Sequence, residues 1–270
     1  MTPLPEARPP AGEPPEALSQ MSLLAHLEEL RKRIIHSLIG LVVAFGLCWA
    51  FIERIFAFLS RPVEKLLPEG TKLAFLGLTD PFILFVKVAL LAAVFLASPW
   101  LMIQAWRFIA PGLYRRERRW ALPFVLAGTG FFVAGGAFAY YVAFPFAAEF
   151  LLGLGAQFEL QPVLTIERYV RFLMTVMLGM GLMFEMPIVI FLLARMGLVT
   201  PGFLIRKFRW AVLIIFVIAA LITPTPDVVN LCLFAVPTIG LYLLGVAAAA
   251  LFPRRREEKA GEAGEVEGTS

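Results

Sequence analysis

Long apolar runs, separated by short polar segments, dominate the pattern of the chain. Charged residues are clumped between the runs, so each run is almost free of charge. The first four runs have nearly the length needed to cross a hydrocarbon layer of about 30 Å as α-helices, which takes roughly 20 residues. The runs cover residues 34–52, 82–106, 121–146, 169–194, 210–222 and 228–252. They predict an all-α membrane protein, a bundle of six transmembrane helices.

The fifth run is shorter than a full crossing, with 13 residues at 210–222. The sixth span can also be shorter than its apolar run. The bilayer can accommodate two short spans by thinning locally, or the pair can form a re-entrant hairpin. In both cases the chain returns to the side that it left, so the location of the C-terminus does not depend on the choice.

The composition agrees with a membrane protein and excludes several other classes. Of the 270 residues, 60% are hydrophobic and 16% are charged, and the mean hydropathy is +0.81. A soluble domain of this size has too little interior to bury so much apolar surface. The net charge of +4 comes from arginines at the ends of apolar runs, so it does not indicate a nucleic-acid partner. Cys48 and Cys232 lie inside apolar runs and are expected to be buried, without a disulfide.

Lysine and arginine residues cluster in alternate segments between the runs. Segments on the side of the N-terminus hold 17 of the 24 basic residues, and segments on the opposite side hold six. Cytoplasmic segments of membrane proteins carry such an excess. The bias predicts an N-in, C-in topology with both termini in the cytoplasm. The basic-rich segments are 1–33, 107–119, 195–209 and 253–270.

The polar ends and two outer segments complete the organisation of the chain. Residues 1–20, rich in Pro and Glu, are expected to be a disordered tail without a cleavable signal, and residues 253–270 a polar C-terminal tail. The six-span domain then covers 21–252. The outer segments 53–81 and 147–168 mix apolar residues with charges, so short helices packed over the outer ends are expected there. The tail differs from a transit peptide, which favours a bacterial or archaeal plasma membrane.

The segment before the first run combines charges with apolar residues at helical spacing. The apolar positions that recur every three or four residues are Leu23, Leu27, Leu30 and Ile34. They predict an amphipathic helix that lies on the cytoplasmic surface and leads into the first span. Glu28 and Glu29 precede Lys32 and Arg33 by four residues, so ordinary ion pairs within the helix are an alternative account of these charges.

The same segment, HLEELRKR at residues 26–33, resembles the N-terminal signature H-L-x-E-L-R-x-R of the TatC family. TatC proteins are the multispanning receptors of the twin-arginine translocation pathway. The likeness continues, in the same order, in QAWRFIAPGLYRRERR at 104–119, FEMP at 184–187 and LITPTPD at 221–227. The number and orientation of the spans also match, so the resemblance covers about residues 20–250.

The resemblance implies a receptor for signal peptides rather than a catalyst. Family members recognise two adjacent arginines in the signal peptides of folded precursor proteins, on the cytoplasmic face. The resemblance also implies single-span TatA/TatB-type partners, homo- and hetero-oligomers in the lipid bilayer, and transport driven by the proton-motive force, with no cofactor. The residues that match the family's recognition surface are Glu29, Glu117, Phe108, His26, Leu30 and Arg31.

Carboxylates suit this role because the planar guanidinium group pairs with them through two parallel hydrogen bonds. Glu29 and Glu117 supply them. Arg115, Arg116, Arg118 and Arg119 surround Glu117. These arginines fit a solvated cytoplasmic loop, and they could also neutralise the glutamate.

Glu185 is the second candidate, because it lies well inside the fourth run, two residues before Pro187. A charged group there costs about 2.5–3.5 kcal/mol on insertion scales, so a functional role is the default hypothesis. Glu185 would contact a single-span partner helix or perturb the bilayer. The alternative is a neutral glutamic acid bonded to a neighbouring helix. By the same resemblance, Pro62 and Asp227 are expected to shape the outer loops.

A proton-coupled secondary transporter is the rival function, with Glu185 and Lys87 as intramembrane ionisable groups. Lys87 lies near the outer end of its run, where a structural, snorkelling role is expected. An enzyme is disfavoured because the sequence has no Walker motif, no H-E-x-x-H and no G-x-S-x-G. Catalytic and metal sites are therefore not expected. The glycine pairs Gly128/Gly130 and Gly179/Gly181 are interpreted as helix-packing positions.

Overall fold

A computed structural model of the chain describes residues 15–64, 74–110, 121–156, 165–223, 225 and 227–251. These residues are helical apart from short connections and one isolated parallel bridge between Ala74 and Thr165. The helices are α1 (Pro15–Ala50), α2 (Ile52–Glu64), α3 (Asp80–Ile109), α4 (Ala121–Phe138), a π-helical turn (Ala139–Ala143), α5 (Phe144–Ala156), α6 (Ile166–Phe184), α7 (Met186–Arg195), α8 (Pro201–Arg206), α9 (Phe208–Ile222) and α10 (Val228–Leu251).

The apolar helices lie where the sequence predicts the spans. Within the described residues, five stretches are long and apolar enough to cross a membrane: His26–Ala50, Asp80–Ile109, Ala121–Gly155, Ile166–Arg195 and Val228–Leu251. The sixth, α9, has 15 residues and is therefore only about 22 Å long, shorter than the hydrocarbon layer. Helix α10, with 24 residues, has the length of a full span.

Helix α1 begins well before the first predicted span. It begins at Pro15, inside the segment expected to be a tail, and continues without a break to Ala50. The amphipathic segment is therefore continuous with the first span, into which it was predicted to lead. Between Pro15 and Gly40 there is no Gly or Pro to interrupt the helix. Residues 1–14 and 252–270 lie outside the described residues.

Small side chains let α1 and α3 approach closely. The buried residues of this contact are Ala44, Cys48, Ala89, Ala93 and Ala97. Further along, the indole Nε1 of Trp100 donates a hydrogen bond of 2.8 Å to the carbonyl of His36. Gly40 makes room for that indole, because a Cβ atom at Gly40 would lie 2.2 Å from Trp100 Cδ1. This pair of helices therefore packs as membrane helices commonly do, through small residues.

Glycines also set the contact between α4 and α6. A Cβ at Gly135 would lie 2.6 Å from the backbone oxygen of Met180, and one at Gly181 would lie 2.9 Å from Phe132 Cε2. Of the four glycines interpreted as packing positions, Gly128, Gly179 and Gly181 do contact neighbouring side chains. Gly130 does not, because no described neighbour lies within 4 Å of its Cβ position.

Helix α2 packs across the far end of the bundle through a proline and two tyrosines. Pro62 has no N–H, so it leaves the carbonyl of Phe58, four residues earlier, without its helical donor. The hydroxyl of Tyr140 donates to that carbonyl at 2.6 Å. Tyr140 lies in the π-helical turn between α4 and α5. The hydroxyl of Tyr169 donates to the next carbonyl, that of Leu59.

Tyr140→Phe is expected to lower the free energy of unfolding by about 1 kcal/mol, because the variant keeps the ring and loses one buried interhelical hydrogen bond. In a Pro62→Ala background the same change is expected to cost less, since the new N–H of residue 62 can bond to the Phe58 carbonyl. Thermal unfolding of the four proteins in detergent gives the double-mutant cycle. Equal losses in both backgrounds would refute the link between Pro62 and Tyr140.

Candidate functional site

The N-terminal part of α1 lies beside the C-terminal end of α3. The imidazole of His26 packs against the ring of Phe108, with ring centroids 4.7 Å apart and an interplanar angle of 31°. These residues are far apart in sequence, and both belong to the surface implied by the resemblance. Helix α3 reaches Phe108 because its 30 residues run without a break from Asp80, the interior Pro99 included.

Glu29 lies three residues after His26, on the same side of α1. Its Oε1 accepts a hydrogen bond of 2.7 Å from Arg33 Nε and a second from Arg33 Nη2. The Glu29 side chain is 31% exposed and that of Arg33 is 18% exposed. The carboxylate is therefore oriented by an ion pair within the helix, the pairing that the four-residue spacing allows, and it remains accessible to a ligand.

The other predicted members of this surface have different positions. Leu30 is half-buried and Arg31 is exposed on α1. Glu117 belongs to residues 111–120, which lie outside the described residues, so its position relative to Glu29 stays a prediction. The structure thus brings together His26 and Phe108, and Glu29 follows His26 by one helical turn on α1.

Glu185 lies at the break between α6 and α7. Pro187 has no N–H to donate to the carbonyl four residues earlier, which interrupts the helix at this point. The N–H of Glu185 donates to the Leu182 carbonyl at 3.1 Å, and the Glu185 carbonyl accepts from Val189 at 3.0 Å. The sequence therefore places a carboxyl group at a kink in the middle of a span.

The side chain of Glu185 is directed into the bundle. The residue is 9% exposed, and its Oε1 is buried with no hydrogen-bond partner in the described part of the chain. A Cβ on Gly128 of α4 would lie 3.5 Å from Glu185 Oε2 and 2.9 Å from Met102 Sδ of α3. The carboxyl group is therefore packed where α3 and α4 meet the kink, and no described neighbour satisfies that oxygen.

Lys87 is bound at the other end of α6. Its Nζ lies 3.4 Å from Glu167 Oε1, and Arg171 Nη2 lies 2.6 Å from the same oxygen. Glu167 is in the first turn of α6, whereas Glu185 follows its last residue. Eighteen residues of helix separate the two glutamates, about 27 Å along the axis. Lys87 thus has a structural partner and lies far from Glu185.

Asp227 forms a cap at the start of α10. Its Oδ1 accepts a hydrogen bond of 2.7 Å from the N–H of Asn230, and its Oδ2 accepts one of 2.9 Å from Asn230 Nδ2. Although partial burial raises the pKa of Asp227, these bonds and those from Thr225 and Val229 together hold it below its usual range. The arrangement is that of an N-cap carboxylate. Pro62, by contrast, lies inside α2 and not in a loop.

Sequence reasoning missed the tyrosine contacts to α2 and two polar side chains with buried atoms. Gln104 is 1% exposed, and neither its Oε1 nor its Nε2 has a partner in the described part of the chain; the same holds for Thr129 Oγ1. An amide in an apolar run is a signal that could have identified Gln104. The tyrosines carried no such signal, because their role depends on backbone carbonyls of another helix, those of Phe58 and Leu59.

The comparison with known proteins decides the family. The family model described as "Sec-independent protein translocase protein (TatC)" matches residues 25–237. The chain belongs to the TatC family. The Sec-independent protein translocase protein TatC of Koribacter versatilis is 46% identical over 255 residues, which cover 93% of each chain. The TatC protein of Aquifex aeolicus is 36% identical over 239 residues, covering 88% of this chain and 98% of the relative.

Solved TatC structures have the same fold. A crystal structure of the twin arginine translocase receptor TatC superposes with a TM-score of 0.73 at 36% identity, covering 84% of this chain and 98% of that chain. A second, determined in DDM, gives a TM-score of 0.75 at the same identity. The prediction of an all-α, six-span membrane protein is confirmed. TatC is a protein translocase component, so this chain belongs to a transport family and not to an enzyme family.

Proposed function

We propose that this TatC chain is the precursor receptor of a twin-arginine translocase and binds signal peptides where α1 meets α3. The observation that carries the proposal is the contact of His26 with Phe108 beside the accessible carboxylate of Glu29. A relative of the same fold is described as a twin arginine translocase receptor. The α1 and α3 residues combine an aromatic surface with an acid, which suits a cationic peptide that also carries apolar residues.

The ion pair with Arg33 shapes the binding chemistry of Glu29. Both described hydrogen bonds from Arg33 are accepted by Oε1. A signal-peptide arginine can bind through Oε2 or replace Arg33. An exposed ion pair contributes about 0–1 kcal/mol, too little for recognition by itself. We therefore infer that Glu117 supplies the second carboxylate and that the rings of His26 and Phe108 exclude water and offer faces to guanidinium groups.

The charge distribution supports a cytoplasmic position for this surface. The sequence segments predicted to share a side with the N-terminus hold 17 of the 24 basic residues, an excess typical of cytoplasmic segments. We infer that both termini lie in the cytoplasm of a bacterial or archaeal cell. Precursors that are folded before transport are available only there, so the receptor surface faces its substrates.

Glu185 is the proposed contact for a single-span partner of the TatA or TatB type. Its buried Oε1 has no described partner, and a polar side chain of a partner helix that reaches between α3, α4 and the kink would bond to it. Partners of this kind imply a hetero-oligomer in the bilayer. A proton-coupled transporter that uses Lys87 and Glu185 together is not favoured. Lys87 is bound to Glu167, and Glu167 lies about 27 Å from Glu185 along α6.

The test is binding of a fluorescent twin-arginine signal peptide to the purified full-length protein in detergent. Glu29→Ala and Glu117→Ala are each expected to weaken binding about tenfold, since each removes a charge-assisted hydrogen-bonded pair. A peptide with two lysines in place of the arginines is expected to bind the wild-type protein no more tightly than the arginine peptide binds these variants. The reason is that lysine cannot pair with a carboxylate through two parallel hydrogen bonds.

Glu28→Ala is the matched control for Glu29→Ala. Glu28 is the neighbouring acid on α1 and is exposed, so the variant removes the same charge without removing the carboxylate beside His26. Its binding is expected to match that of the wild type. Equal losses for Glu28→Ala and Glu29→Ala, or equal binding of the arginine and lysine peptides, would contradict the proposed site and leave only general charge attraction.

A further inference from the structure

Helix α2 carries two arginines on one side, each above a phenylalanine three residues earlier. The guanidinium carbon of Arg54 lies 5.9 Å from the ring centroid of Phe51, and that of Arg61 lies 6.0 Å from that of Phe58. Arg54 and Arg61 are seven residues apart, so they project from the same face of the helix. Both side chains are exposed. The pattern is typical of a helix at a membrane interface, with apolar rings below and cations above.

A cavity of about 290 Å³ lies between α2 and the spans α3 and α4. Its lining is almost wholly apolar and includes Phe58, Phe95, Ala137, Val133 and Tyr141. Phe58 is 40% exposed, Val133 45% and Tyr141 66%, so the cavity opens to the outside of the bundle. An apolar cavity does not hold water, because water needs several polar partners. In a bilayer the medium at its opening is lipid.

Phe58 joins this cavity to one arginine only. Its ring forms part of the lining, stacks on Tyr140 with centroids 4.6 Å apart, and lies below Arg61. Phe51, below Arg54, is not part of the lining. One cation therefore stands at the edge of an apolar cavity, and its counterpart one heptad earlier does not.

We propose that this is a binding site for an anionic phospholipid. One acyl chain occupies the cavity, and the phosphate binds the guanidinium group of Arg61. Arginine pairs with phosphate through two parallel hydrogen bonds, which complements the charge of the headgroup. The position of Arg61 on an amphipathic helix above the cavity suits a headgroup at the membrane surface with its chain directed inward.

The size of the cavity favours a lipid chain over a partner helix. A helix with side chains is about 10–12 Å across and needs a long groove, whereas this cavity admits a single chain or side chain. The bound acyl chain would also fill the space beside the contact between Tyr140 and α2. The lipid would therefore hold α2 against the bundle.

The test is native mass spectrometry of the intact protein, released from detergent and titrated with palmitoyl-oleoyl phosphatidylglycerol or the matching phosphatidylcholine. The wild type is expected to retain more phosphatidylglycerol than phosphatidylcholine. Arg61→Gln is expected to weaken that binding about fivefold, the effect of one interfacial basic residue. Arg54→Gln, on the same face of α2 and above a phenylalanine outside the cavity, is the matched control and is expected to bind like the wild type.

A second pair of variants tests the cavity. Ala137→Phe fills the cavity and is expected to reduce retention of both lipids, whereas Val142→Phe, at an exposed position outside the lining, is expected to leave both unchanged. Ala92→Leu, also in the lining, replaces Ala137→Phe if that variant does not elute as a monodisperse protein. Equal binding of the two lipids, equal effects of Arg54→Gln and Arg61→Gln, or full retention by the cavity variants would overturn the proposal.

Discussion

Gly135→Leu is expected to lower the free energy of unfolding by about 3 kcal/mol, one of the two largest effects that we expect in this protein. A Cβ at Gly135 would lie 2.6 Å from the Met180 backbone oxygen and 2.9 Å from Gly181 Cα. Backbone cannot rotate away as a flexible side chain can, so α4 and α6 must separate. Overpacking of this kind costs about 1–3 kcal/mol, and the leucine has three further carbons to place.

Gly130→Leu on the same helix is the matched control. Among the described residues, no heavy atom of a neighbouring element lies within 4 Å of its Cβ position, so the branch point of the new side chain has open space. Its effect on the free energy of unfolding is expected to stay within about 0.5 kcal/mol, as for substitutions at free surfaces. Thermal unfolding of both variants in detergent measures the difference. Similar transitions for the two would mean that α4 and α6 are not held together through Gly135.

Glu185→Met is expected to stabilise the protein and to reduce transport about tenfold. Methionine has a similar length and no polar atom, so it removes a buried carboxyl oxygen that has no described partner. The same change removes the group proposed to bond to a partner helix, and an interhelical hydrogen bond in a membrane contributes about 1–2 kcal/mol. The measurements are thermal unfolding in detergent and export of a twin-arginine precursor by cells whose sole TatC is the variant.

Glu185→Gln separates polarity from charge. The amide keeps hydrogen-bonding atoms at the kink, so transport by this variant is expected to remain close to that of the wild type. Wild-type transport by Glu185→Met would end the hypothesis of a partner contact. Loss of stability in Glu185→Met would show instead that the carboxyl group is bonded within the bundle, the alternative that the sequence left open.

The proposed signal-peptide surface, formed by His26, Glu29 and Phe108, shows how much the spacing of residues along one helix can predict. The four-residue separation of Glu29 and Arg33 indicated a possible ion pair, and the structure contains it. The contact between His26 and Phe108 joins residues in different spans, and no spacing indicates it. The motif resemblance named both residues without saying that they touch. Glu117, the other half of the proposed site, stays a prediction.

The glycines at helix contacts show what the sequence did not predict. Gly128, Gly179 and Gly181 were expected to pack against neighbouring helices and do, whereas Gly130 does not, and Gly135 was not singled out. The two glycines that differ lie on the same helix, α4. Which of them meets a neighbour depends on the rotation of α4 about its axis, and that rotation follows from contacts along the whole bundle.

The sequence by itself determined the spans, the bias of basic residues and the family, because each is written in local composition or in contiguous motifs. The tertiary structure decided which face of each helix meets which neighbour. In water an apolar stripe marks the buried face, but lipid accepts every apolar face equally, so periodicity does not mark a partner helix. The Tyr140 bond to the Phe58 carbonyl, the kink that buries Glu185 and the cavity beside α2 all follow from that choice of faces.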